Sequence, residues 1–204
     1  MKIVVAGTGY VGLVTGACLS EIGHKVTCVD IDENKVTMMK KGISPIYEPG
    51  LDELLKRNYE EGRLDFTTDY KNAYKDANIV FIGVGTPERE DGSANLDYVF
   101  KVCEQIAENV ENNCLVVVKS TVPIGTNDRV EEFLKEHVKA SIHIEVASNP
   151  EFLAQGTAVK DTLYASRIVI GVESKEAEEK LRYVYEGFNQ PIVVTNRRSA
   201  EMIK

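Results

Sequence analysis

Short β-branched runs alternating with amphipathic stretches from one end of the chain to the other predict an α/β fold, a doubly wound, mainly parallel sheet with helices on both faces. Two observations carry this expectation. Several runs are almost continuously apolar, such as Ile79-Val80-Phe81-Ile82, as a strand covered on both faces requires. The stretches between them have helical spacing, and their ends carry stop or start residues: Gly23 after the first, Gly62 after the third, and Gly125-Thr126 opening the fifth.

In chain order the strands are expected at Lys2–Ala6, Lys25–Asp30, Leu64–Thr67, Asn78–Val84, Cys114–Ser120, His143–Ala147, Arg167–Val172 and Pro191–Val194. Helices are expected at Val11–Ile22, Glu33–Lys41, Leu51–Glu61, Leu96–Val110, Asn127–His137 and Lys175–Phe188. Lys41–Gly50, with two prolines and two glycines, is an irregular insertion. Ser199 should cap a last helix whose Met202 and Ile203 face a core, although the chain stops before that helix could bury anything.

A chain of 204 residues forms one sizeable domain, since ~150 residues per domain is the usual scale. Its formal net charge of -8 leaves no basic stripe for a phosphate backbone, which argues against nucleic acid as a partner. The four cysteines, Cys18, Cys28, Cys103 and Cys114, are widely spaced with apolar neighbours, so they read as buried reduced thiols, with no metal site. A cytoplasmic location is the corresponding expectation. Residues 3–20 carry no charge, but Gly7, Gly9, Gly12 and Gly16 suit neither a secretion signal nor a membrane-spanning helix.

Ligands of doubly wound sheets bind beyond the carboxyl ends of the strands, so the chemistry is expected in those loops. Gly7-Thr8-Gly9-Tyr10-Val11-Gly12 is a G-x-G-x-x-G between a strand and a helix. Its glycines permit the tight turn, the approach of a pyrophosphate and helix-on-strand packing. Asp30 ends the second strand 18 residues after Gly12, where a carboxylate would bind ribose hydroxyls and repel a 2′-phosphate; locally it could instead cap the next helix. Lys35 could reach the same ribose or the phosphates, or remain a solvated lysine.

Gly83 and Gly85 follow the most apolar strand and would let a ligand lie against bare backbone. Thr121 could hydrogen-bond at the site edge or cap the following helix. Glu151, on a proline-stiffened turn after the sixth strand, is a candidate general base or water-positioning group beside the alternative of a solvated loop glutamate. None of His24, His137 and His143 falls near these loops.

Gly7–Leu13, Gly85-Thr86-Pro87 with Asp91–Val99, Lys119–Thr126 and Asn149–Leu153 occur in the order and spacing of one family. Together they resemble the UDP-glucose/GDP-mannose dehydrogenase family, along the whole chain but only over that family's N-terminal, cofactor-binding half. The resemblance implies a Rossmann-type NAD-binding domain over residues 1–196 and the start of a central helix over 197–204, with the substrate-binding C-terminal domain absent.

It further implies oxidation of the C6 alcohol of a nucleotide sugar, UDP-glucose to UDP-glucuronate, with two NAD reduced per turnover. GDP-mannose or an N-acetylated UDP-hexosamine is the alternative substrate, and a catalytically silent nucleotide-binding module the alternative of another class. By resemblance the cofactor positions are Gly7, Gly9, Tyr10, Val11, Gly12, Asp30, Lys35, Thr86, Thr121 and Gln155. Glu151, Phe152, Leu153, Ala154, Gln155 and Lys204 fall on substrate-contacting positions. Thr121, Glu151 and Lys204 fall near the reacting carbon, with Lys204 stabilising the oxyanion.

Two departures stand out. Gln155 replaces a second Glu that the family often carries. The family's nucleophilic Cys, needed for a thioester route in the second oxidation, lies in a Gly-rich segment beyond the central helix, and none of the four cysteines has that context. The intact enzyme is expected to be a homodimer with no membrane partner.

Overall fold

The structure, a computed structural model, describes residues 1–204. Its strands are β1 (Lys2–Ala6), β2 (Lys25–Val29), β3 (Leu64–Thr67), β4 (Ile79–Ile82), β5 (Cys114–Val118), β6 (Ile144–Ser148), β7 (Ile168–Gly171) and β8 (Ile192–Thr195). The helices are α1 (Tyr10–Glu21), α2 (Glu33–Lys40), α3 (Leu51–Glu60), α4 (Tyr70–Lys75), α5 (Asp97–Asn109), α6 (Thr126–His137), α7 (Ala158–Leu163), α8 (Lys175–Tyr185) and α9 (Arg197–Ile203), with a 3₁₀ turn over Glu186–Phe188.

All eight strands form one sheet in the order β3-β2-β1-β4-β5-β6-β7-β8. The first six run parallel, β7 meets β6 antiparallel through Ser148 and Gly171, and β8 runs parallel to β7. Strand order reverses between the neighbours β1 and β4. β1, β4 and β5 are buried almost throughout because helices cover both faces. One face packs its core under α1, α2, α3, α7 and α8. The other packs under α4, α5 and α6.

The register sets the site. Val29 pairs with Ala6, Ala6 with Ile82, Ile82 with Val118 and Val118 with Ser148, so the carboxyl ends of five parallel strands form one row. β2, β4 and β5 stop there one or two residues before the expected end, β1 ends as expected and β6 runs one residue further, and the residues that follow turn away to build the binding loops.

Four expectations are corrected. α4 and α7 were not foreseen, since six residues give too little periodicity to read. The last helix starts earlier, capped by the Asn196 side chain, which accepts from the Ser199 N–H at 2.8 Å. It also buries residues of its own: Ala200 lies so close over Gly171 that a Cβ there would meet its side chain at 2.6 Å, and Arg197 and Glu201 are buried as well. Met202 and Ile203 face solvent instead of a core, 70% and 43% exposed.

Candidate dinucleotide and substrate site

At the head of α1 the three glycines are used differently. Gly7 has φ +92°, a conformation that side chains avoid, and a Cβ on Gly12 would lie 2.0 Å from the Gly7 carbonyl oxygen. Gly9 is exposed with open space where a Cβ would be. It caps α1 without a side-chain hydrogen bond, and the first turn has no acidic residue, so the helix N-terminus is open to an anionic group. This bare cradle fits a pyrophosphate.

Gly83 departs from expectation. A Cβ there would meet the Gly12 Cα at 2.8 Å, so this glycine seats α1 on β4 and is closed to ligand. Gly85 has open space around it.

Asp30 lies one residue past β2, half-buried. Its Oδ2 accepts from the Thr8 N–H at 2.9 Å and from the Thr8 hydroxyl, and its Oδ1 accepts from the Asp32 N–H at 3.0 Å. Burial opposes its charge, but the Thr8 hydroxyl, the two backbone N–H groups and the nearby Lys35 outweigh it and hold the carboxyl below the usual range. The cap of α2 is Asp32, which accepts from Asn34 and Lys35 N–H groups, so capping does not occupy Asp30. Lys35 stands in the first turn of α2.

The loops after β4 and β5 are tied together. Thr86 Oγ1 donates to the Thr121 carbonyl at 2.7 Å, and Ser120 Oγ donates to the Val84 carbonyl at 2.6 Å. Thr121 caps nothing: α6 begins at Gly125 without a side-chain cap of its own. Its exposed side chain stands at the edge of the crevice.

Glu151 is buried beyond β6. Its Oε1 pairs with Lys204 Nζ at 2.8 Å, and its Oε2 accepts from the Leu153 N–H at 2.6 Å. Phe152 is exposed, with the Arg167 guanidinium 5.4 Å and Lys204 Nζ 5.9 Å from its ring centre. Glu151, Phe152 and Leu153 line a cavity of about 280 Å³ together with Lys119, Tyr164 and Arg167. Ala154 and Gln155 are exposed at its approach.

Two residues here escaped the sequence reading. Lys119 is buried and donates to Asn149 Oδ1 at 3.0 Å, while the Tyr185 hydroxyl donates to the same oxygen. Burial pulls its ammonium down to about 8, with Glu151 and Cys18 opposing that fall and Lys204 adding to it. A charged residue directly after the apolar run Leu115–Val118 is the signal that could have revealed it. Glu48, in the irregular insertion, is also buried, and the Tyr10 hydroxyl donates to it. No local pattern marks Glu48.

The four cysteines are free and buried. Burial pushes the Cys18, Cys103 and Cys114 thiols up to about 12 and Cys28 higher still, so none of them is a ready nucleophile. No helix is long and apolar enough to cross a membrane.

A bare glycine cradle at a helix N-terminus, with an ionised acid beyond the neighbouring strand and both at the point where strand order reverses, defines an NAD-binding Rossmann-type domain of a dehydrogenase. The sequence model of the NAD-binding domain of the UDP-glucose/GDP-mannose dehydrogenase family matches residues 1–189, and the chain belongs to that family.

The chain is 52% identical over its whole length to UDP-glucose 6-dehydrogenase YwqF of Bacillus subtilis, covering 46% of that protein. It is 49% identical to UDP-glucose 6-dehydrogenase of Rhizobium meliloti, again over the whole chain and 48% of the relative. The chain thus spans about half the length of the curated relatives it matches. Among solved structures it resembles a UDP-glucose dehydrogenase of Pyrobaculum islandicum, with a TM-score of 0.94 at 38% identity over 99% of the chain and 48% of the other. It also resembles a GDP-mannose dehydrogenase of Pseudomonas aeruginosa solved as a ternary complex, with a TM-score of 0.93 at 40% identity over 100% and 48%.

Proposed function

We propose that the whole protein oxidises the C6 alcohol of UDP-glucose to the carboxylate of UDP-glucuronate, and that this chain supplies the NAD site and one wall of the substrate site. The observation that carries this reading is the Glu151–Lys204 pair, 2.8 Å apart at the edge of a cavity lined by the segment after β6. NAD held by the Gly7–Gly12 cradle and Asp30 would supply the hydride acceptor for the alcohol carbon. Lys204 places a cation where the alcohol oxygen gains negative charge, and Glu151 receives or returns the proton of that oxygen or of an attacking water. Thr121 holds the reacting oxygen from the β5 loop. Phe152, Leu153, Ala154 and Gln155 form the surface against which the sugar nucleotide lies.

Because burial disarms the four thiols here, the thiol nucleophile of the second oxidation lies outside residues 1–204 in this reading. In the same reading, residues 1–196 are the NAD-binding domain, 197–204 open a central helix, and the intact protein is a cytoplasmic homodimer.

The fold does not discriminate the sugar, since the UDP-glucose and GDP-mannose enzymes superpose equally well. The two relatives near 50% identity favour UDP-glucose. In a protein carrying the remainder of the family's length, Glu151→Gln should lower kcat by about 10²- to 10⁴-fold and leave NAD binding unchanged. An unaltered kcat removes Glu151 from the mechanism, and a substrate panel on the same protein decides the sugar.

A further inference from the structure

Glu48 is a buried carboxylate with three hydrogen-bond donors that belongs to neither binding loop. It stands in the irregular insertion between α2 and α3, yet is only 6% exposed. Its Oε2 receives the Tyr10 hydroxyl and the Gly156 N–H at 2.8 Å, and its Oε1 receives the Val159 N–H at 3.4 Å. The Gly156 N–H also donates to Tyr10 Oη at 3.0 Å, which closes a triangle of Tyr10, Glu48 and Gly156. Tyr10 is the first residue of α1, directly after the bare Gly9. Gly156, at φ +89°, ends the segment that begins at Glu151. One buried side chain therefore fastens the dinucleotide cradle to the far end of the substrate segment, 108 residues apart in sequence from Glu48.

We infer that Glu48 is a positioning residue that couples the two sites: through Tyr10 it makes the placement of residues 151–156 depend on whether a dinucleotide occupies the head of α1. This inference rests on the reading that residues 151–155 touch substrate. A pyrophosphate seated on the N–H groups of the first turn of α1 restrains that turn, and with it the Tyr10 ring. The restrained hydroxyl holds Glu48, and Glu48 holds the Gly156 and Val159 N–H groups. Both oxygens are needed as acceptors, because a carboxamide would turn an NH₂ group toward one of these donors. Linkage requires the effect to be reciprocal: a substrate that orders residues 151–156 must tighten NAD by the same factor.

The test is amide hydrogen exchange over residues 151–160, with NAD uptake measured by calorimetry in parallel, on the 204-residue chain as wild type, Tyr10→Phe and Glu48→Gln. In the wild type, saturation with NAD should slow exchange at Gly156 and Val159 about fivefold, the factor that one ordinary hydrogen bond supplies. Glu48→Gln should still bind NAD but show no such slowing, and Tyr10→Phe, compared at an NAD concentration that calorimetry shows to saturate it, should lose the slowing as well. If Glu48→Gln fails to fold, Tyr10→Phe, which loses a single oxygen, decides alone.

Wild-type amides unmoved by bound NAD, or a response fully kept in Tyr10→Phe, overturn the inference. A chain that takes up no NAD removes the dinucleotide site and the inference together. Failure of the substrate reading shows elsewhere, as an undiminished kcat in Glu151→Gln with the amide response intact.

Discussion

Lys119 is a lysine whose environment opposes its charge. Its ammonium sits at the carboxyl end of β5, buried, with the Asn149 carboxamide as its hydrogen-bond acceptor. Burial brings it from 10.5 to about 8. A lysine lowered in the folded state costs stability at every pH below its folded value, and that cost is relieved as pH rises from about 8 towards 10.5, because there the unfolded chain holds a proton that the folded chain has lost. The four buried thiols pull the other way above about pH 9, since burial raises their folded values. A comparison with Lys119→Met isolates the lysine. In urea denaturation, the stability of the variant relative to wild type should be highest near pH 7 and should shrink by about 2 to 3 kcal/mol by pH 10. A difference that does not vary with pH would mean that Lys119 keeps its proton throughout.

Among the elements, α6 begins without a cap of its own, and its partner comes from the far end of the chain. Glu201 of α9 accepts from the Gly125 N–H at 2.6 Å, the Asn127 N–H at 2.7 Å and the Asn127 side-chain amide at 2.5 Å. Beside it, Arg197 is buried against Asp128 at 2.9 Å and Glu131 at 3.0 Å, which locks α9 onto α6. Glu201→Ala leaves buried donors without acceptors and removes a negative charge from a helix N-terminus, so it should cost about 2 to 3 kcal/mol in urea denaturation. A loss below about 0.5 kcal/mol would show that water replaces the carboxylate. α7 is capped in the same remote way by Glu48. These two helices explain what was legible in the sequence. The strands and the turn of the glycine cradle could be read because each depends on neighbours within a few residues: β-branched runs and a G-x-G-x-x-G. Glu48, Glu201 and Arg197 could not, because each acts on an element 66 to 111 residues away, and nothing in their own surroundings distinguishes them from solvated charge.

For the whole molecule, the continuous eight-stranded sheet joins both faces into one cooperative unit, and the cradle lies beyond the carboxyl ends of β1 and β4, where strand order reverses. A dinucleotide bound there is linked to global unfolding, since the cradle exists only when α1 rests on β4 through Gly12 and Gly83. At about 100 times its dissociation constant, NAD adds about 2.7 kcal/mol of stability. For a domain of this size, each kcal/mol corresponds to about 2 to 4 °C, so the melting temperature should rise by about 5 to 10 °C in a single transition. NADP at the same concentration should raise it far less. Its 2′-phosphate would meet the ionised Asp30, whose hydrogen bonds from Thr8 and Asp32 keep it charged. Asp30→Ser removes that charge and should narrow the gap between the two dinucleotides, mainly by weakening the response to NAD. Equal shifts with NAD and NADP in the wild type would show that Asp30 does not select the cofactor.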